Sequence, residues 1–430
     1  MYKGKIEALR LLVIFLYSLY LFLYFSMLED PVALEYLIYL LGIIYFVSNL
    51  KSNFSLVFRT PPFYFVVAVG VIPLLSWTFM FIQRPELNAQ MLGLREYLRY
   101  VFLLPLALIL KGEFKWVMAI VLSFIAGVFI APWSPGAENN LLNSLDGQRL
   151  AFHLNPIRAG LILSVALFFM VFVVVDILEK SSTKFKFLIA LSFSSYFFVM
   201  ILYTQSRTAL LSVLISISLI FVLSVFSEGV AFFKKWIKHI SISIFILALL
   251  GAILANGLGL INKTLPELQM LWGVVTGDIK AVPDTSWGYR IQMWSLGLEG
   301  ILERPLLGWG NMGGELIISL SGNEYFQRQF DQLHSSYIEL SVRYGVFYTL
   351  IVWWFFIWAL LKCFGLYRFR KLTSGLFYSL SLILVFYFVA NFFGSFLIRS
   401  DTERLFTIVF GIVLSYFYKF SEQDGAANHA

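Results

Sequence analysis

Charge is what this chain of 430 residues has least of: 13% of its positions are Asp, Glu, Lys or Arg, against about a quarter in soluble domains. Cysteine is nearly absent. The single Cys363 excludes a disulfide framework and a Cys-based metal centre. The sequence also lacks the pair of spaced aspartates that commonly holds a divalent ion, the short alternating strands of a β-barrel, any internal repeat and any low-complexity tract. Apolar residues fill the space instead, 60% hydrophobic and 18% aromatic, and that composition is the mark of a polytopic membrane protein.

A helix needs about 20 mainly apolar residues to cross a bilayer. Twelve stretches qualify: roughly 8–28, 32–49, 62–82, 92–110, 116–133, 157–177, 185–203, 208–226, 240–262, 337–361, 375–398 and 403–420. They are read as helices because backbone polar groups in lipid must be satisfied within each segment. The first is too long and too aromatic for a cleaved secretory signal, and no small-residue cleavage site follows Met27, so it is expected to stay in place. The fold class expected is therefore all-α, with helices one to nine in 1–262, a long hydrophilic loop in 263–336, and helices ten to twelve plus a short polar tail in 337–430.

Orientation follows from the basic residues of the short loops. With a cytoplasmic N-terminus, eighteen of them fall on the cytoplasmic side and only eight on the other: Arg84, Arg95, Arg99, Arg149, Arg158, Arg207, Arg399 and Arg404. The two cations separate by type, since fourteen of sixteen lysines are cytoplasmic while twelve of sixteen arginines face outward once the long loop is included. Lysine sets the topology. Arginine offers a planar fork of donors that matches phosphate, so the outer face is a candidate surface for a lipid-linked phosphate, although arginines at helix ends also snorkel to the interface. The net charge of +7 restates this bias and gives no reason to expect nucleic acid.

This topology gathers four separated motifs on the outer side. His153, Asn155 and Arg158 precede the sixth span in His153-Leu-Asn-Pro-Ile-Arg158-Ala-Gly160, and Arg207 follows the seventh in Thr204-Gln-Ser-Arg207-Thr-Ala-Leu. Arg290 lies within the loop in Gly288-Tyr-Arg290-Ile-Gln-Met-Trp294, and His334 closes it in His334-Ser-Ser-Tyr-Ile-Glu-Leu340. Within the loop, Ser286 is a reasonable N-cap, and Ile291, Trp294, Leu298 and Ile301 recur at helical spacing until Pro305, which predicts an amphipathic helix carrying Arg290 and Trp294 on one face. A second helix is expected from Asn323 to Leu333, delivering His334 to the tenth span. Helices of this kind lie at the interface over a cavity.

Other residues have plainer readings. Asp331 could orient the His334 imidazole or be a solvated loop carboxylate. His153 fits a structural hydrogen bond, and Glu339 and Arg343 fit an i,i+4 helix pair. Gly308-Trp-Gly310-Asn-Met-Gly313 has the letters of a dinucleotide fingerprint but no preceding strand and no βαβ unit, so it reads as a turn. Glu35 is the clearest ionisable residue inside a span. A flippase or other transporter would also have about twelve spans, but paired repeats with broken mid-membrane helices are missing from the sequence.

Together these motifs resemble the O-antigen ligase and polymerase superfamily of bacterial membrane glycosyltransferases, and within it the O-antigen ligases. The resemblance rests on Asn155 to Gly160, Gln205 to Leu210, Gly288 to Trp294 with Glu303-Arg-Pro305-Leu-Leu-Gly308-Trp-Gly310, and His334 to Leu340. It covers roughly 150 to 420. Where the family often has Asn after the loop histidine and Glu before the following Gly, this chain has Ser335 and Tyr344. The resemblance implies a GT-C-type fold in the bacterial inner membrane and transfer of O-antigen polysaccharide from undecaprenyl diphosphate to a sugar hydroxyl of the lipid A core. The reaction would take place on the periplasmic face with inversion, without cofactor or metal. An O-antigen polymerase or a protein O-oligosaccharyltransferase would use the same donor. That chemistry needs stabilised negative charge on the leaving diphosphate and a base for the incoming hydroxyl. The roles implied are Arg207 and Arg290 on the diphosphate, Arg158 on the diphosphate or in organising the site, and His334 as a neutral base with a pKa near 6.5.

Overall fold

A computed structural model of the chain describes residues 2–26, 30–49, 54, 57–85, 94–134, 140–152, 154–180, 184–228 and 286–427. Every element among them is a helix. In chain order we label α1 Tyr2–Phe25, α2 Val32–Ser48, α3 Pro61–Gln83, α4 Leu94–Val101, α5 Leu103–Leu110, α6 Phe114–Ile130, α7 Leu141–Leu145, α8 Pro156–Lys180, α9 Lys184–Tyr203 and α10 Arg207–Glu228. Beyond residue 285 follow α11 Ser286–Glu303, α12 Gly313–Leu320, α13 Glu324–Gln329, α14 Ser336–Tyr344, α15 Val346–Arg368, α16 Ser374–Phe393 and α17 Ser400–Ala427.

Eight of the described helices are long and apolar enough to cross a membrane, namely α1, α3, α6, α8, α10, α15, α16 and α17. Three further expected spans fall on shorter apolar helices, Val32–Ser48, Tyr97–Leu110 and Leu188–Tyr203. The expected ninth span at 240–262 lies outside the described residues, as do loop residues 263–285.

Two boundaries differ from expectation for local reasons. The stretch 92–110 breaks at Phe102, just before Pro105, which has no N–H to donate to the preceding turn. The stretch 337–361 is two helices: α14 stops at Gly345, whose φ of 88° is open to glycine and strained for other residues, and the long helix begins at Val346. The Val346 amide donates to the Pro305 carbonyl at 2.9 Å, and a Cβ at Gly345 would strike the Leu306 carbonyl. The chain leaving α11 is thus clamped into the joint between α14 and α15.

Helix α16 is the hub. It packs against α8, α10 and α15, while α17 packs on α5 and α1 on α6. Rings fill the centre, with Phe65 stacked on Phe355 at 3.8 Å and Phe406 on Phe410 at 4.1 Å. Glu35 is buried there and accepts from Arg99 at 3.2 Å and Arg404 at 2.9 Å, while Arg99 also reaches Glu403 at 2.5 Å. Pairing of this kind stabilises buried charges in low dielectric. Arg99 and Arg404 therefore belong to the bundle interior rather than to an outer binding surface.

Candidate functional site

Two short motifs build one wall. Asn155 caps α8, its side chain accepting from the Ile157 amide at 2.9 Å, and Pro156 takes the first helical position, where a missing N–H costs nothing. In the turn before α10, Ser206 accepts from the Ala209 amide at 3.3 Å and Thr204 from the Ser206 amide at 3.2 Å. This leaves Arg207 as the first helical residue, where the helix dipole adds to its charge. A Cβ on Gly160 would sit 3.0 Å from Thr204, Ser206 and Ala209, so the glycine is what lets α8 approach this turn. A third segment straps the turn from outside. Arg149 donates to the Thr204 carbonyl at 3.1 Å, and the Leu150 amide donates to the Tyr203 carbonyl at 3.0 Å.

The loop helices form the opposite wall. Arg290 projects from α11 with only 7% exposure, its guanidinium 5.2 Å over the Trp287 ring. As the periodicity predicted, α11 runs from Ser286 until just before Pro305. The second loop helix is shorter than expected, Glu324–Gln329, and Asn323 caps it by accepting from the Tyr325 and Phe326 amides. The turn at Gly308 and Gly310, both at positive φ, seats Trp309 against α14, with the Trp309 and Gly310 amides donating to the Val342 and Arg343 carbonyls at 2.8 and 2.9 Å. That placement accounts for the glycine-rich run.

His334 closes the loop-side wall with φ of 53°, an uncommon conformation for a residue with a side chain. Its neighbours hold it there. The Leu333 amide donates to Glu339 at 2.8 Å, the Ser336 amide to the Gly394 carbonyl at 3.0 Å, and Arg399 reaches Asp331 at 2.7 Å and Gln332 at 3.3 Å. Strained backbone of this kind persists where surrounding contacts over-determine it, and it collects at functional sites. The imidazole meets the Phe330 ring edge-on at 5.4 Å. Asp331 is engaged with Arg399, and Glu339 pairs with Arg343 at 2.7 Å as the spacing predicted.

Electrostatics ties the walls together. Burial, then the charges of Arg207 and Arg149, pulls Arg290 down to about 10. Burial, then the charge of Arg290, lowers His334 to about 4, with Asp331 opposing the shift and Arg399 adding to it. The imidazole is therefore neutral well below the pKa of 6.5 expected for it. The charges of Arg149 and Arg207 thus act on Arg290, and that of Arg290 acts on His334. Among the described residues no carboxylate pairs with Arg290.

One comparison covers the middle of this arrangement: residues 187–353, which include Arg207, Arg290 and His334, match the family model described as O-antigen ligase. Over this stretch the chain is similar to the O-antigen ligase family. No curated protein matches it.

Arg158 stands apart from the rest of the cluster. It donates to Asp401 of α17 at 3.0 Å, and its charge is not among those acting on Arg290 or His334. His153 lies outside the described residues. Arg149 is the member that motif reading passed over, because Gln148-Arg149-Leu150 carries no pattern of its own. The available signal was its place among the eight outward arginines. Among the described residues no group of three or more His, Cys, Asp or Glu is placed to hold a metal ion.

Proposed function

We propose that this protein transfers O-antigen polysaccharide from undecaprenyl diphosphate to a sugar hydroxyl of the lipid A core, at a GT-C-type site on the periplasmic face of the inner membrane. The observation that carries the proposal is the grouping of a buried Arg290, with which no described carboxylate pairs, with Arg207 and Arg149, beside a histidine kept deprotonated by burial first and by the Arg290 charge second.

Each group has a step. The acceptor hydroxyl attacks the anomeric carbon of the donor sugar from the face opposite the diphosphate, forming the new C–O bond with inversion as the old one breaks. The bonding pair leaves on undecaprenyl diphosphate, whose charge is met by the arginine forks and the α10 N-terminus. The hydroxyl proton passes to the neutral imidazole of His334. A group held near 4 is a weak base, and donor binding corrects this: the incoming diphosphate neutralises Arg290, removes its repulsion on the imidazolium and raises the pKa toward 6.5. The base thus gains strength only when the donor is in place. The ion pair to Asp401 fits Arg158 for organising the site rather than for holding phosphate.

The test is the lipopolysaccharide of a strain lacking the gene. Uncapped core with accumulated lipid-linked polymer supports the ligase, core bearing a single repeat indicates a polymerase, and unchanged lipopolysaccharide with under-glycosylated protein indicates a protein-directed transferase.

A further inference from the structure

A recess of about 490 Å³ opens between α12 and α13, within the roughly 300–1,000 Å³ that sites for small ligands occupy. Its lining is polar: Glu315 and Ser319 come from α12, Gln327, Arg328 and Gln329 from α13, and Phe330 follows them. Gln327 donates to the Ser319 carbonyl at 2.7 Å and so joins the two helices. Arg328 is engaged by Glu324 at 3.0 Å, and the neighbouring Asp331 by Arg399 at 2.7 Å. The Glu315 carboxylate and the Gln329 amide, both at exposed positions, have no partner among the described residues.

These groups narrow the ligand by class. An anion would meet Glu315 and Asp331 while the one lining cation is already paired. An apolar chain would strip water from the uncommitted carboxylate and amide and give nothing back, and a metal ion would find a single uncommitted carboxylate. A polyhydroxylated ring satisfies the recess instead. Its hydroxyls donate to Glu315 and exchange hydrogen bonds with Gln329, and its C–H face lies against the Phe330 ring. We propose that the recess is a saccharide subsite that seats the sugars of the acceptor beside the base. Phe330 supplies the connection, since its ring also meets the His334 imidazole at 5.4 Å, and Tyr289 and Tyr325 brace it at 5.9 and 6.2 Å. The acceptor is chosen over the donor glycan because the sugar nearest the base is the one whose hydroxyl loses its proton. This rests on the function proposed above and adds the place where the acceptor is held.

The purified full-length protein in detergent, titrated with core oligosaccharide freed of lipid A by mild acid and separately with the O-antigen repeat oligosaccharide, tests this by saturation-transfer NMR. Wild type should bind the core oligosaccharide in preference to the repeat. Glu315→Ala should weaken that binding about tenfold and Gln329→Ala about fivefold, the factors expected for one charged and one neutral hydrogen-bonding group. In transfer assays the acceptor KM should rise alike, with kcat and the donor KM unchanged. Glu299→Gln, at an exposed position of α11 outside the recess, should keep wild-type affinity. No core binding by wild type, or core binding untouched by both alanines, would overturn the subsite. Binding of the repeat as tightly as the core, or more tightly, would overturn the assignment to the acceptor. Core binding that both alanines weaken, together with no transfer from any diphosphate-linked glycan, would uphold the subsite and refute the ligase reading instead.

Discussion

Replacing Arg290 by glutamine removes the largest of the charges that act on His334 while leaving a polar, hydrogen-bonding side chain. Imidazolium formation is then opposed by one cation fewer, so the His334 pKa must rise from about 4. It should not return to 6.5, because burial is the larger cause and stays in place. An increase of about one pH unit is expected, equivalent to about 1.4 kcal/mol of relieved repulsion. Arg290→Lys should leave the pKa low because the charge remains, yet lose transfer nearly as completely as the glutamine variant. The second parallel bond to phosphate is gone, and losing one such stabilising contact costs on the order of a hundredfold in rate. The assay is the pH titration of the histidine ring signals by NMR in the detergent-solubilised protein, where only four histidines are present and His334→Gln assigns the signal. A His334 midpoint that does not move in Arg290→Gln would show that the two groups do not share a field, and the site built on that coupling would fall.

Arg149→Gln should raise the donor KM by on the order of tenfold with less effect on kcat, the loss expected for one charged hydrogen-bonding group; an unchanged KM would return Arg149 to a purely structural strap. Gly345→Ala should lower the melting temperature of the solubilised protein, since it combines a backbone strain of about 1–3 kcal/mol with a collision at the Leu306 carbonyl, and an unaltered melting temperature would contradict the clamped joint between α14 and α15. A reporter active only in the periplasm should give signal when fused within residues 266–284 and none after Lys371. The reverse would place Arg290 and His334 in the cytoplasm.

The candidate site was easier to read from the sequence than the helix boundaries were. Arg207, Arg290 and His334 were visible because each sits in a motif whose cap, turn or glycine has a local cause, as Asn155-Pro156 and Gly160 do. Arg149 escaped because its role comes from a carbonyl of a turn 55 residues away, which no local pattern records. Gly345 lies inside an apolar run that reads as one span, and the break it makes is dictated by Leu306 pressing on it from another segment. Likewise Arg99 and Arg404 read as outward cations until Glu35 and Glu403 were seen to draw them inward. Hydropathy finds the length of a helix; partners distant in sequence decide where it ends and which way its charges turn.

The central claim is that neutral His334 takes the proton from the acceptor hydroxyl while the arginines hold the donor. The direct measurement is single-turnover transfer by purified wild type and His334→Ala, each preloaded with undecaprenyl-diphosphate-linked O-antigen and mixed with lipid A core. The account predicts that His334→Ala binds donor normally, transfers about 10²–10⁴-fold more slowly, and loses the acid limb of the wild-type pH profile. Transfer by His334→Ala at the wild-type rate, or with the same acid limb, would contradict it.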